Sequence, residues 1–289
     1  MVSDDTFEEI NEAKSNMDHI YDQSDPREYF SELRKHDYVI PDGAKPIFQE
    51  LIANLRQQRK DNIHILDLGC SYGVNAAMLK HDLSMPELYD HWCDDVPAKA
   101  TSKEVVEADR RYFSNLDEQA EITVTGFDQA DSAIIFSEKS GLLDVGLAIN
   151  LETDSLPNTA TENLTQVDLV ISTGCVGYLT EKSFERLLPA LTQGQLPWIG
   201  NFVLQMFPFD AIEETLDVWG YETEKLEGQT FVQRDFVSAE EKRQVFEQLR
   251  SRGINPETAD TNDQIRAEFY LSRPASEVAA ESIQELLTA

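Results

Sequence analysis

Cysteine is scarce in this chain. The three cysteines, Cys70, Cys93 and Cys175, are an odd number and lie far apart, with no Cys-x-x-Cys pair and no nearby histidine pair. This pattern argues against a disulfide framework and against a zinc site. The sequence also lacks an apolar run of membrane-spanning length, and its opening residues MVSDD are acidic where a signal peptide is basic. We therefore expect a soluble, cytoplasmic protein with no membrane partner.

Positive charge is scarce as well. The sequence has 24 Lys and Arg against 54 Asp and Glu, which gives a formal net charge of -30. Such a surface repels phosphate groups, so DNA, RNA and anionic membranes are poor partners, and we expect no nucleic-acid partner. Solubility or a saline habitat explains the charge; an acidic docking face for a cationic partner is the alternative.

The apolar pattern predicts an α/β protein. Hydrophobic residues make up 41% of the 289 residues, enough for an ordinary core in one enlarged domain or in two. Strand patterns alternate with helical ones, which is typical of a doubly wound, mostly parallel sheet. Asp210 and Ser238, each followed three residues later by Glu, are predicted to cap two late helices. The predicted strands cover residues 63–68, 122–127, 145–151, 167–172, 198–207, 228–237 and 267–272.

The segments outside this alternating pattern are predicted to be helical. A short helix is expected from about Asp25, and a second one over residues 46–59, beginning at Pro46. Thr101 and Glu104 form a capping box inside a stretch without strand pattern. The predicted organisation is an N-terminal helical lid segment (1–60), a main domain (61–275) with a helical insertion (81–120), and a loose C-terminal tail (276–289).

The first strand ends in a glycine turn, GCSYG at 69–73. Open parallel sheets bind ligands at the carboxyl ends of their strands, and glycines allow the backbone to approach a ligand closely. The next strand ends at Asp128, whose carboxylate can accept hydrogen bonds from both ribose hydroxyls. Two plainer interpretations are that the turn makes only a tight corner and that Asp128 caps the following helix.

The same region lacks the usual phosphate-binding patterns. It has no G-x-x-x-x-G-K-[ST] sequence and no complete G-x-G-x-x-G, and the turn 69–73 contains neither lysine nor arginine. Asp128 also follows the first strand at far more than the roughly 20 residues of a dinucleotide unit. These residues favour an uncharged or cationic nucleoside over NAD or ATP.

Four segments resemble motifs of class I S-adenosylmethionine-dependent methyltransferases. ILDLGCSYG at 65–73 is similar to the first motif, with serine at a position that is often glycine, and TGFD at 125–128 is similar to the ribose-binding motif. VGLAINLE at 145–152 resembles the adenine-binding strand and loop, and VDLVISTG at 167–174 resembles the fourth motif. The resemblance covers roughly residues 60–210.

This resemblance implies a Rossmann-like methyltransferase fold with strand order 3-2-1-4-5-7-6, in which residues 267–272 form the antiparallel strand 7. It also implies S-adenosyl-L-methionine as cofactor: the glycine turn would hold the methionine part, Asp128 the ribose, and residues 150–152 the adenine. Residues 173–175 would lie under the sulfonium. The expected cofactor residues are Asp67, Gly69, Cys70, Ser71, Tyr72, Gly73, Asp128, Gln129, Asn150, Leu151, Glu152, Thr173, Gly174, Cys175, Tyr21 and Tyr29.

The insertion 81–120 departs from the family, which usually has a short link there. We expect it to cover the pocket of a small-molecule acceptor together with residues 17–45. Whether oxygen, nitrogen or carbon is methylated stays open, as does the need for a general base. The expected catalytic candidates are Tyr178, His36 and Asp37.

Several alternatives remain at this point. The chain could be a catalytically silent S-adenosylmethionine-binding or assembly protein, or a nucleotide-dependent oxidoreductase. No [NDS]-P-P-[YFW] sequence follows strand 167–172, which argues against methylation of adenine or glutamine amino groups. His91 and the acids at 94–95 could suggest a metal, but an exposed loop is the more ordinary interpretation and we expect no metal.

Overall fold

The computed structural model describes residues 17–59, 62–117, 121–257 and 264–287. The start of the predicted lid segment and the end of the predicted insertion, residues 1–16 and 118–120, lie outside the described residues. The strands are β1 (Ile63–Leu68), β2 (Ile122–Asp128), β3 (Val145–Ala148), β4 (Leu169–Thr173), β5 (Trp198–Leu204), β6 (Tyr221–Lys225), β7 (Phe231–Asp235) and β8 (Gln264–Pro274).

Helices alternate with the strands of the sheet, and two of the described α-helices precede β1 in the chain. A 3₁₀ turn, Asp18–Ile20, precedes the first helix, and a π-helical turn, Asp90–Asp95, follows the fourth. The α-helices are α1 (Arg27–Arg34), α2 (Ile40–Gln58), α3 (Val74–His81), α4 (Met85–Tyr89), α5 (Ser102–Ser114), α6 (Asp131–Ser140), α7 (Asn158–Leu164), α8 (Glu181–Leu191), α9 (Asp210–Val218), α10 (Ala239–Ser251), α11 (Ala275–Val278) and α12 (Ile283–Leu286).

The sheet has the order β3-β2-β1-β4-β5-β8-β6, and β7 also pairs with β8. The first five strands are parallel, whereas β8 runs antiparallel to β5. This confirms the predicted doubly wound, mostly parallel sheet and the antiparallel strand expected at 267–272. Strand β1 (IHILDL) is almost wholly buried, as expected for a central strand of a parallel sheet whose two faces are both covered.

The last part of the sheet differs from the prediction. The sequence predicts one strand over 228–237, but two strands, β6 and β7, lie end to end along the same edge of β8. Strand β6 escapes the prediction because its sequence YETEK is mostly polar and only Tyr221 is fully buried. The predicted bounds of β3 and β5 also extend about three residues too far.

Two helix starts were predicted wrongly. Helix α2 begins at Ile40, not at Pro46, because Ile40 and Ala44 are fully buried, and Pro41 stands in the first turn, where its missing N–H is harmless. Asp210 does not cap α9, since it is the first helical residue and Phe209 precedes it without a side-chain cap. Ser238, by contrast, accepts a hydrogen bond from Glu241 N as predicted.

The C-terminal segment is not a loose tail. It forms α11 and α12, and Ile283 and Leu286 of α12 are buried. The backbone N–H of Ile283 donates to Glu224 Oε1 on β6 at 3.0 Å, which ties this segment to the sheet edge. In the described part of the chain, no helix is both long and apolar enough to cross a membrane.

The insertion 81–120 supports the N-terminal segment. Arg27 binds Asp25 with two hydrogen bonds of 2.8 Å and donates to the backbone oxygen of Pro97 at 3.0 Å. Ser102 donates to Asp25 at 2.7 Å, and the Phe30 ring packs 4.3 Å from that of Trp92. The capping box of Thr101 and Glu104 is confirmed. The insertion therefore holds α1 in place.

Candidate functional site

A cavity of about 580 Å³ opens at the carboxyl ends of β1, β2, β3 and β4. It lies where the chain order reverses between β1 and β4, the usual ligand position in an open α/β sheet. Its size is typical of small-molecule sites. The lining residues are Tyr21, Asp22, Tyr29, Tyr38, Pro41, Gly69, Cys70, Ser71, Val74, Asn75, Phe127, Asp128, Gln129, Ala130, Ile149, Asn150, Leu151, Glu152, Thr173, Gly174, Cys175, Tyr178, Leu179 and Gln233.

The glycine turn forms the floor of this cavity. Gly69 has a φ of +68°, and a Cβ atom there would lie 2.7 Å from the Cβ atom of Cys175. Any side chain at this position would therefore be strained and would collide with Cys175, in the loop that follows β4. The N–H groups of Gly69 and Cys70 both donate to the oxygen of Phe127, at 2.8 and 3.1 Å. The turn is thus fixed against β2.

Asp128 joins the glycine turn to the helix that follows β2. Its Oδ2 accepts from Ser71 N at 2.9 Å and its Oδ1 accepts from Ala130 N at 3.0 Å. Burial raises the pKa of Asp128, and these backbone hydrogen bonds oppose that shift. Each carboxylate oxygen keeps a second lone pair that a ligand can use. The carboxylate is therefore positioned by both backbone segments that line the cavity.

The loop after β3 forms a third wall. Asn150 donates to Gln129 Oε1 at 3.3 Å across the cavity edge. Glu152 accepts from both the N–H and the hydroxyl of Thr180 at 2.8 Å, so its carboxylate ties this loop to the start of α8. Leu151 is buried. Glu152 thus lines the cavity while its oxygens are already engaged by the protein.

A buried acid lies directly behind the glycine turn. Asp67 is fully buried; its Oδ1 accepts from Asn75 Nδ2 at 3.0 Å, and its Oδ2 has no partner. The same Asn75 amide donates to Thr173 Oγ1 at 3.3 Å. Burial raises the pKa of Asp67 to about 7. Asn75, which sequence reasoning missed, therefore connects the first and fourth motifs.

The N-terminal segment closes the cavity from above. The Tyr72 hydroxyl accepts from Gln23 N at 2.8 Å and donates to Gln23 O at 2.9 Å. Asp22 accepts from Ser132 N at 2.9 Å. The segment is thereby anchored on the glycine turn and on α6, and it carries Tyr21 and Tyr29 into the lining.

The structure brings most of the predicted site residues together. Of the expected cofactor residues, all but Asp67, Tyr72 and Gly73 line the cavity; Asp67 is buried behind the turn, and Tyr72 and Gly73 are part of the turn outside the lining. Residues 17–45 contribute to the lining, whereas none of the described residues of the insertion, 81–117, does. The insertion was expected to cover the pocket, but its described part packs against the N-terminal segment instead.

The catalytic candidates are separated. Tyr178 lies on the cavity rim with 48% of its surface exposed. His36 and Asp37 lie in the turn after α1, outside the lining, where the His36 oxygen accepts from Asp235 N at 2.7 Å. Tyr38, just beyond them, does face the cavity, and burial raises the pKa of its hydroxyl.

The cavity is electrostatically one-sided. Its lining contains the acids Asp22, Asp128 and Glu152 and, among the described residues, no Lys, Arg or His. Such a site favours ligands with a net positive charge and repels phosphates. The described residues also contain no group of three or more His, Cys, Asp or Glu suited to a metal. His91 instead lies 2.8 Å from Asp109 in the insertion.

Comparison with known proteins finds only remote similarity to solved structures. No family model and no curated protein matches the chain. The plantazolicin methyltransferase BpumL, solved with a triazolic desmethylPZN analog and SAH, is 13% identical, with 94% of this chain and 99% of that chain covered and a TM-score of 0.45.

Two further solved structures show the same level of similarity. A TehB-like SAM-dependent methyltransferase from Corynebacterium glutamicum is 15% identical over 79% of this chain and 98% of that one, with a TM-score of 0.36. The [4+2]-cyclase SpnF is 11% identical over 79% and 80%, with a TM-score of 0.38. The chain's own sheet order, with its one antiparallel strand between β5 and β6, is the order that the class I methyltransferase resemblance implies.

Proposed function

We propose that this protein transfers a methyl group from S-adenosylmethionine to a small-molecule acceptor. The observation that carries the proposal is the cavity itself: a glycine turn and a positioned Asp128 meet at the switch point of the sheet, and none of the described lining residues is cationic. A nucleoside with a positive charge fits this combination, whereas a phosphate-bearing cofactor would meet carboxylates and no cation.

The residues present fit the parts of this cofactor. The turn at Gly69 borders the cavity, and the fully buried Asp67 behind it places an acidic group near the end assigned to the methionine ammonium. The free lone pairs of Asp128 suit the ribose hydroxyls. Ile149 and Leu151 offer an apolar wall for adenine, next to the amides of Gln129 and Asn150.

When bound, S-adenosylmethionine supplies a methyl group already activated on a positively charged sulfur. The protein then has to orient the acceptor, exclude water and accommodate the cation, rather than provide strong acid or base. Tyr29 and Tyr38 suit that role, because both are buried and present aromatic surface to the cavity. Tyr178 on the rim is the remaining catalytic candidate inside the lining.

The cavity also indicates which acceptors to expect. The part of the chain that the structure describes lines it with three carboxylates and no cation, and the chain carries a net charge of -30, so an acceptor on a nucleic acid is disfavoured. A small neutral or cationic molecule suits both the cavity volume and its charge. Oxygen, nitrogen and carbon acceptors are all compatible with this site.

Calorimetry with S-adenosylhomocysteine tests the cofactor assignment. We expect the wild type to bind it and Asp128→Ala to weaken binding by about 1–3 kcal/mol, the usual loss when a buried hydrogen-bonding group is removed. Asp128→Asn keeps one acceptor oxygen and should lose less. Asp131→Ala is the matched control, because Asp131 is exposed three residues later and lies outside the lining.

The possible outcomes separate the alternatives. Absence of binding at millimolar S-adenosylhomocysteine would rule out the proposed cofactor. Binding that Asp131→Ala weakens as much as Asp128→Ala would contradict the ribose assignment. Binding without methyl transfer from labelled S-adenosylmethionine to any small molecule of a cell extract would favour a silent binding protein over an enzyme.

A further inference from the structure

Gln233 lies on a β-bulge that turns it into the cavity. The pairing of β7 with β8 shifts register between Val232 and Arg234, so Gln233 is the extra residue of the strand. A bulge re-aims one side chain out of the regular alternation, often next to a functional site. Gln233 lines the cavity although it lies far beyond the four motif segments, and only 6% of its surface is exposed.

The backbone around this bulge is held on both sides. Val39 N donates to the Gln233 oxygen at 2.8 Å, which links the bulge to the start of α2. The next residue, Arg234, is buried and makes two hydrogen bonds to Glu241 of α10, at 2.9 and 2.6 Å. The direction of the Gln233 side chain is therefore set by its neighbours rather than by solvent.

The Gln233 amide is not satisfied by the protein. Its Oε1 is buried and has no hydrogen-bond partner, which native structures seldom tolerate unless a ligand or water pairs with the group. Its Nε2 lies against Gly174, where a Cβ atom would be only 2.9 Å away. Gly174 directly follows β4, so the amide borders the end of the cavity assigned to the sulfonium.

The residues around the Gln233 amide determine which ligand groups can bind next to it. Tyr29 and Tyr38 line the same cavity and are largely buried, which offers aromatic surface to an acceptor. No lining residue among those described is cationic, so a carboxylate or phosphate would stay unpaired there. A carbonyl oxygen without a partner calls for a donor, and only an N–H or O–H group supplies one.

We propose that Gln233 is the specificity residue of the acceptor end, and that its Oε1 accepts a hydrogen bond from an N–H or O–H group of a neutral or cationic acceptor. The inference rests on the proposed function, because Gln233 is placed relative to a bound donor. If Gln233 had a purely structural role, its side chain would only support Gly174. Its substitution would then affect binding of the methyl donor rather than binding of the acceptor.

The test uses four small probe ligands, each built on one phenyl ring, which are added to the protein saturated with S-adenosylhomocysteine. Benzylamine and benzamide carry N–H donors, N,N-dimethylbenzamide carries none, and benzoate is an anion. We expect the first two to shift the side-chain amide signal of Gln233 in nitrogen-15 correlation spectra, and the last two to leave it unchanged. The Gln233→Leu variant identifies that signal by its loss.

Affinity measurements on variants complete the test. Gln233→Leu should weaken benzamide binding at least tenfold and change the Kd for S-adenosylhomocysteine by less than threefold. Gln233→Glu should bind benzylamine more tightly than Gln233→Leu does, because its carboxylate accepts a hydrogen bond from the ammonium group. Three results would each overturn the proposal. Benzoate could bind as tightly as benzamide, no probe could shift the Gln233 signal, or Gln233→Leu could leave the Kd of benzamide unchanged.

Failure of the proposed function gives a different result. If the wild type does not bind S-adenosylhomocysteine, the cofactor assignment fails, and the same four probes are then measured on the free protein. Selective binding of the N–H probes at Gln233 in that experiment would support the hydrogen-bonding role alone, and equal binding of all four would overturn it.

Discussion

At the scale of single residues, the two acids beside the glycine turn have different tasks. Asp128 is bonded to two backbone N–H groups and borders the cavity, whereas Asp67 is fully buried with one oxygen unpaired. Burial raises the pKa of Asp67 to about 7, so in the free protein this group changes charge near neutral pH. Ionising it inside the folded protein is unfavourable because the anion has left water.

This shift predicts a pH dependence of stability. The pKa of Asp67 is raised from 3.8 to about 7 on folding, so its stabilising contribution is complete below pH 3.8 and is lost as pH rises through 7. Asp67→Asn cannot ionise and should lack this loss, which amounts to at most about 4 kcal/mol. Urea unfolding of both proteins at pH 5 and pH 8 measures the part of this loss that falls between those pH values, at most about 2.6 kcal/mol. Equal changes in the two proteins would contradict the assignment.

Residues differ in how well the sequence predicts them. Gly69 and Asp128 are predictable because a left-handed turn and a strand-end acid follow from local sequence. Tyr38 and Gln233 are not, because their places depend on contacts with distant elements: Tyr38 O accepts from Tyr89 in the insertion, and Gln233 owes its direction to a bulge against β8. Local patterns contain no signal for either contact.

At the scale of elements, the parallel strands follow from their apolar runs, whereas the β6–β7 edge does not. An edge strand with polar residues on one side has no distinctive pattern, so only its partner β8 reveals it. The insertion is likewise recognisable as helical, but its packing partner is not. Inside the insertion, the carboxylate of Asp109 on α5 accepts a hydrogen bond from Trp92 Nε1 at 2.8 Å and lies 2.8 Å from His91 Nε2.

This buried cluster predicts a large effect of one substitution. Asp109 is fully buried, so Asp109→Ala leaves Trp92 Nε1 and His91 Nε2 without their partner and should destabilise the protein by about 1–3 kcal/mol for each of them. Glu107→Ala is the matched control, because Glu107 is exposed on the same helix, and a change within about 0.5 kcal/mol is expected there. Urea unfolding gives both values. Similar losses in the two variants would show that the cluster contributes little.

At the scale of the whole molecule, charge is the dominant property. The chain has a net charge of -30, and the described lining of its cavity contains three acids and no cationic side chain. The summed potential of such a protein acts over about 30 Å in 0.01 M salt and over about 10 Å in 0.1 M salt. A positively charged ligand therefore gains from the whole surface, whereas a ligand with one positive charge fewer gains less.

S-adenosylmethionine and S-adenosylhomocysteine make this difference measurable, because they differ by one methyl group and one positive charge. We expect the Kd of the sulfonium to rise with NaCl more steeply than that of the thioether, by about threefold or more between 10 and 300 mM salt. The thioether is the control for salt effects on everything else the two ligands share. Calorimetric titrations at four salt concentrations measure both curves. Parallel curves would mean that contacts inside the cavity alone, and not the acidic surface, select the cation.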